Sequence, residues 1–290
     1  KKNIYNDLGA WKKFLQFFSI SIGIGFTTAG IIFFFAYNWA DLHKFIKIGL
    51  IEGLIIITTA IVLFSKISLT LKNILLTGTS ILVGVLIAVF GQIYQTGANA
   101  YDFFLGWTMF ITLWVIISNF APLWLIYLTL INTTLILYAQ QVAHHWSEVF
   151  LSTLLFIINT TFLLISTVGI KTLFKKSSPN WFSNFIALAS VSFSTIGITI
   201  GIFDKQQTSF FVLILFTTIL YGIGINYGLK VRRGFYLAII PLSIIIIISA
   251  FLINISSDAA MFFIICLFVI ASVTFVIKNL IDLQKKWINE

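Results

Sequence analysis

Residues 234–256 read GFYLAIIPLSIIIIISAFLINIS, 23 positions without one Asp, Glu, Lys or Arg. At about 1.5 Å rise per residue such a run forms a helix of roughly 30 Å or slightly more, which spans the hydrocarbon core of a bilayer. The same pattern extends outward from it. Further apolar runs fall at roughly 14–37, 45–65, 73–95, 101–119, 121–141, 149–170, 181–203, 209–229 and 259–278, separated by short polar breaks. The expected fold class is all-α: a polytopic integral membrane bundle of about ten transmembrane helices. It would occupy 1–290 as a single transmembrane domain, with 1–13 as a flank before the first span and 279–290 as a tail after the last.

Composition agrees. Hydrophobic residues make up 59% of the chain and charged residues 9%, against roughly 25% charged in a soluble domain. A net charge of +9 would point to nucleic acid in a soluble protein, so its placement decides its meaning. Fifteen of the 18 basic residues flank the spans on the side of the N-terminus, against Lys44, Lys47 and Lys205 on the other. By the positive-inside rule both termini are expected in the cytoplasm, and the basic loops are a topology signal rather than a nucleic-acid surface. The 31 Phe and 8 Trp suit lipid and headgroup contact. Cys266, the one cysteine, falls in the last span and excludes an internal disulfide or thiolate cluster. The first run is too long for a cleavable signal peptide, and because the sequence opens on Lys1, residues are expected ahead of it.

Small residues recur at helix-face spacing in Ser19, Gly23 and Thr27; Ser21, Gly25 and Ala29; Gly84 and Ala88; and Gly224 and Gly228. They are expected to mark seams of close helix packing. Pro122 opens the fifth span, where a missing N–H costs little, and Pro241 lies inside the ninth, where a kink is expected. Two five-span halves of inverted topology are conceivable, as in many transporters, but no repeat is visible between them.

Polar residues inside or beside the spans are the candidates for chemistry. Glu52 lies about eight residues into the second span, where a carboxyl needs a partner, a proton or water. Gly49 and Gly53 beside it would leave room for another helix. Between the third and fourth spans stands GQIYQTGANAYD, residues 91–102. Gln92 and Gln95 share a helix face there, and Asp102 falls in the first turn of the next helix, as a cap or as a ligand contact. Asn38, Trp39 and Asp41 lie in the first outer loop. Asn38, Trp39, Asp41, Glu52, Gln92, Tyr94, Gln95, Tyr101 and Asp102 thus form a candidate outer-facing pocket for a small polar ligand or ion. His144, His145 and Glu148 are a weak candidate metal set, since His144 and Glu148 would be one helical turn apart but a fourth ligand is missing. Asn132, Thr133, Thr134 and Asn159 read as hydrogen-bonding glue between helices. No phosphate loop, nucleophile elbow, zinc-protease motif or cofactor motif is present.

FAYNWAD at 35–41 and the segment from Gly91 to Asp102 resemble a bacterial family of predicted membrane proteins, domain of unknown function 2157. The resemblance covers roughly the first 140 residues and implies an inner-membrane location without implying an activity. Three functional classes follow in order of weight: a small-molecule or ion transporter or ligand-binding membrane protein; a non-transporting partner or sensor subunit that packs against other membrane proteins; and an intramembrane enzyme acting on lipid-linked substrates, which would need its carboxylates or histidines clustered.

Overall fold

A computed structural model describes residues 8–37, 42–95, 97–169, 178–204 and 208–289. Ten helices long and apolar enough to cross a membrane account for nearly all of it, and no strand occurs among the described residues. They are α1 (Leu8–Tyr37), α2 (Lys44–Phe64), α3 (Leu69–Tyr94), α4 (Ala100–Ser118), α5 (Ala121–Gln141), α6 (Glu148–Leu164, continued by a π-helical turn Ile165–Gly169), α7 (Asn180–Phe203), α8 (Thr208–Lys230), α9 (Gly234–Ile255) and α10 (Ala259–Asn289). Most helix ends fall within a residue or two of the apolar runs. The clear exceptions are α1, which starts at Leu8, α3, which starts at Leu69, and α10, which runs on past 278. Hydropathy reports where the lipid contact stops, but a helix continues until something breaks it. The stretch 279–289, NLIDLQKKWIN, has no Pro or Gly and sets Asp282 three and four residues before Lys285 and Lys286.

Local chemistry sets the other ends. Ser68 and Ser147 cap α3 and α6, their hydroxyls accepting from Leu71 N at 3.4 Å and Phe150 N at 3.2 Å. Asn119 takes the left-handed conformation that closes α4. Pro241 is carried inside α9, which is continuous from Gly234 to Ile255.

The chain divides into two compact units, Lys1–Leu137 and Tyr138–Glu290. In the first, α3 is the hub, packing against α1, α2 and α4. Its core centres on the fully buried Ile111, Val115 and Leu123. The indole Nε1 of Trp107 donates to the carbonyl of Ser80 at 2.7 Å, and Thr79 of α3 bonds to Thr58 of α2 at 2.9 Å. In the second unit α7 packs against α6, α8 and α9, and α10 lies along α9. Phe156, Val149 and Leu213 form a core there. The two units therefore do not share one packing scheme, which gives no support to an internal repeat.

Much of the surface is apolar: Phe33 is 74% and Phe262 70% exposed. In water so much exposed grease would drive association; in a bilayer it is the solvated face.

The glycines sort differently from their spacing. Gly23 and Gly25 face open space, so those two α1 stripes are not packing seams within the first unit. α1 instead meets α3 through Ile24, which fills the hollow left by Gly78. The Gly84 and the Gly224–Gly228 positions do pack closely, against Trp107 and against Ile240 and Leu237. A seam with no counterpart in the sequence reading lies on α7, where Gly197 receives Leu213 and Ser152, and Gly201 receives Phe210.

Candidate functional site

The outer-loop candidates of the first unit fall into three groups. Asn38, Trp39 and Asp41 lie outside the described residues. Gln92, Tyr94 and Gln95 are exposed, and Tyr101 and Asp102 are half-buried. Asp102 caps its own helix: its carboxylate accepts from the backbone N–H of Asn99 at 3.0 Å, which fixes the start of α4. Gln95 holds a left-handed φ of 43°, uncommon for a residue with a side chain, and Gly97 follows at 63°. Gln95 closes α3 in this conformation, and Gln92 and Gln95 both lie on the surface.

Glu52 lies on the surface of the first unit. Ile51 beside it is fully buried and Lys47 is 7% exposed, while Glu52 falls on the exposed face of α2. The reason is angular. Residues at Lys47, Ile51 and Ile55 lie on the stripe that packs toward Val85 and Val89, and at 100° per residue Glu52 is rotated off it. Gly49 and Gly53, on either side, face open space.

His144, His145 and Glu148 fall where α6 begins. α6 starts at Glu148 behind the Ser147 cap, so His144 and His145 lie in the preceding turn rather than one helical turn away. No three of His, Cys, Asp or Glu converge on a common point among the described residues. The two histidines instead line an open hollow facing Thr208 and Ser209, beside Trp146, whose ring packs against Tyr138 and Phe150 at centroid distances of 5.5 and 5.1 Å.

The strongest polar constellation lies at mid-span in the second unit. Tyr221 of α8 is 6% exposed. Its hydroxyl stands 2.9 Å from Ser194 Oγ of α7 and 2.6 Å from Ser243 Oγ of α9. Ser243 is in turn 2.5 Å from Thr195 Oγ1. Ser194 and Thr195 both donate to the carbonyl of Val191, at 2.9 and 2.6 Å. Four hydroxyl protons thus serve five oxygen contacts, a closed set across three helices with one donor fewer than its contacts. Near it Thr160 of α6 meets Ser190 of α7 at 2.6 Å. Asn159, beside Thr160, donates to Leu155 O in its own helix at 2.8 Å. Thr133 and Thr134 likewise bond back to Thr129 and Leu130.

Two hollows flank this set. A groove of about 670 Å³ between α8 and α9, floored by Ile198 and Ile202 of α7, runs toward the end of the unit where α7 gives way to α8. A smaller hollow of about 100 Å³ lies toward the opposite end, beside Leu163, Gly224, Tyr227 and Tyr236. Tyr221 lines both. The sequence reading missed this place because Ser, Thr and Tyr are ordinary in transmembrane helices. A weak signal was present in Ser183, Ser190, Ser194, Gly197 and Gly201, which repeat at spacings of three, four and seven along α7.

Fold and surface together define a polytopic helical membrane protein. Residues 7–124 match the family model described as predicted membrane protein (DUF2157), which bears out the resemblance over α1 to α4 and the start of α5. No curated protein and no solved structure matches the chain.

Proposed function

We propose that this is a ligand-binding membrane protein of the transporter kind, set in a bacterial inner membrane with both termini in the cytoplasm. The observation that carries it is the position of Tyr221: one residue lines two hollows that extend toward opposite ends of the same unit. Its hydroxyl is held at mid-span by neutral partners from two other helices. Helix packing needs only small and apolar surfaces, whereas a ligand crossing the bundle needs hollows on both sides and a barrier that can be re-paired. A neutral hydroxyl set is such a barrier, because its bonds exchange without moving a charge through lipid. The charge bias of the loops supports the orientation. Gln92, Tyr94 and Gln95, together with Asn38, Trp39, Asp41, Tyr101 and Asp102, remain the candidate outer-facing contacts of the first unit.

A thermal-shift screen of the purified chain against ions, amino acids, sugars and lipids tests the reading, since a ligand that binds the folded state must raise its apparent stability. A compound that stabilises wild type, and Tyr221→Phe less, supports it. Stabilisation by nothing in the panel would overturn it.

One feature favours the partner-subunit reading as the alternative. Glu52 sits on an exposed helix face between two glycines with open space beside them, the shape of a surface onto which a second membrane helix could pack.

A further inference from the structure

The groove between α8 and α9 carries more information about its occupant. From Phe210 to Ile225 it follows α8 for 16 residues, about 22 Å at helical rise. Its wall is built from isoleucines and phenylalanines, and none of the described residues that line it is charged. A charged headgroup would find no counter-charge there and would lose its hydration. The polar groups are Thr217, Thr218, Tyr221 and Asn254.

These four are not equivalent. Tyr221 is committed to Ser194 and Ser243, and Thr218 donates to Ile214 O at 2.8 Å. Asn254 stands at the end of the groove, in the last turn of α9. Thr217 is 3% exposed, lines the groove, and its Oγ1 has no hydrogen-bond partner among the described residues. A buried hydroxyl left unpaired costs about 1–3 kcal/mol. Most other threonines in these helices avoid that by bonding to the carbonyl four residues back; Thr217 does not.

We infer that the α8–α9 groove binds an uncharged long-chain lipid whose single hydroxyl or carbonyl oxygen pairs with Thr217. This rests on the ligand-binding reading above and names its ligand class. The chain lies along Ile214, Ile244, Ile247, Ile248 and Phe251, and the oxygen accepts from Thr217 at a depth no ionised headgroup reaches.

The test is photolabelling of the purified full chain in detergent with hexadecanol carrying a diazirine on its alkyl chain, followed by mass-spectrometric mapping. Labels are expected within 210–225 and 244–254, removed by excess hexadecanol but not by hexadecane or palmitate. Thr217→Val should cut labelling about fivefold, the value of one neutral hydrogen bond. Thr217→Ser should retain it, and Thr218→Val should not change it, because that hydroxyl is already spent on its own helix. Labels elsewhere, equal competition by hexadecane or palmitate, or full labelling of Thr217→Val would overturn the assignment. If the lipid arms fail while a small solute still stabilises wild type over Tyr221→Phe, the lipid assignment alone falls. If both fail, the ligand-binding reading falls with it.

Discussion

The hydroxyl of Tyr221 stands 2.6 Å from Ser243 Oγ, joining α8 to α9 at a residue that lines two hollows. Removing the phenol oxygen takes away one proton and two contacts: Ser194 keeps its bond to Val191 O and Ser243 its bond to Thr195, but α8 loses its hydroxyl link to α7 and α9. Tyr221→Phe is expected to cost about 1 kcal/mol, a fall of about 2–4 °C in melting temperature. Ser243→Ala should cost a similar amount, and the double variant less than the sum, because both act on one network. Additive losses in thermal melts would show that the two hydroxyls act independently.

Gly84 and Gly23 offer a direct contrast. A Cβ on Gly84 would lie 2.6 Å from the ring of Trp107, whose indole is tied to Ser80 O, so the ring has little room to retreat. Gly84→Ala should destabilise the first unit by about 1–3 kcal/mol. Gly23→Ala meets open space and should be neutral or slightly stabilising, since Ala is the better helix former. Comparing the two melting temperatures decides it; equal values would refute the close approach of α4 to α3.

Asp102 gives a test of cap against ligand contact. Its carboxylate accepts from Asn99 N–H at 3.0 Å, and Asp102→Ala should cost about 1 kcal/mol. Asp102→Asn keeps an acceptor oxygen and should recover most of that loss. A fall in ligand-induced stabilisation with Asp102→Asn, at unchanged intrinsic stability, would instead assign the residue to a binding site.

Glu52 lies on the exposed face of α2. In lipid nanodiscs Glu52→Leu should raise the melting temperature of the isolated chain, with Glu52→Gln between the two, because a carboxyl facing hydrocarbon is costly. If another membrane protein normally covers this face, the same Leu variant should lose it in co-purification. Destabilisation by Glu52→Leu would show that the carboxyl has a partner within the chain.

Gln95 is held at φ 43° between α3 and the turn to α4. Gln95→Gly relieves a conformation that costs about 1–2 kcal/mol in a residue with a Cβ, so stability should rise in denaturant or thermal melts. If function then falls, the strain serves to present the Gln95 side chain; unchanged function assigns the residue to the turn alone.

Class, number of spans and nearly every helix end were legible in the amino-acid order alone. Lipid removes the choice: each crossing must satisfy its own backbone, so a run such as 234–256 has one solution, and breakers such as Gly97, Asn119 and Pro179 mark where runs stop. The sequence also marked the resemblance that the match over 7–124 bears out. What it left open was the angle of each helix about its axis. A rotation of 100° per residue put Ile51 inside and Glu52 outside, turned Gly23 away from α3 while Gly78 met Ile24, and set Thr160 against Ser190. In a transmembrane helix both faces are apolar, so hydropathy carries little phase information. Only tertiary packing gathered Ser194, Thr195, Tyr221 and Ser243, spread over 50 residues of sequence, within hydrogen-bonding distance of one another.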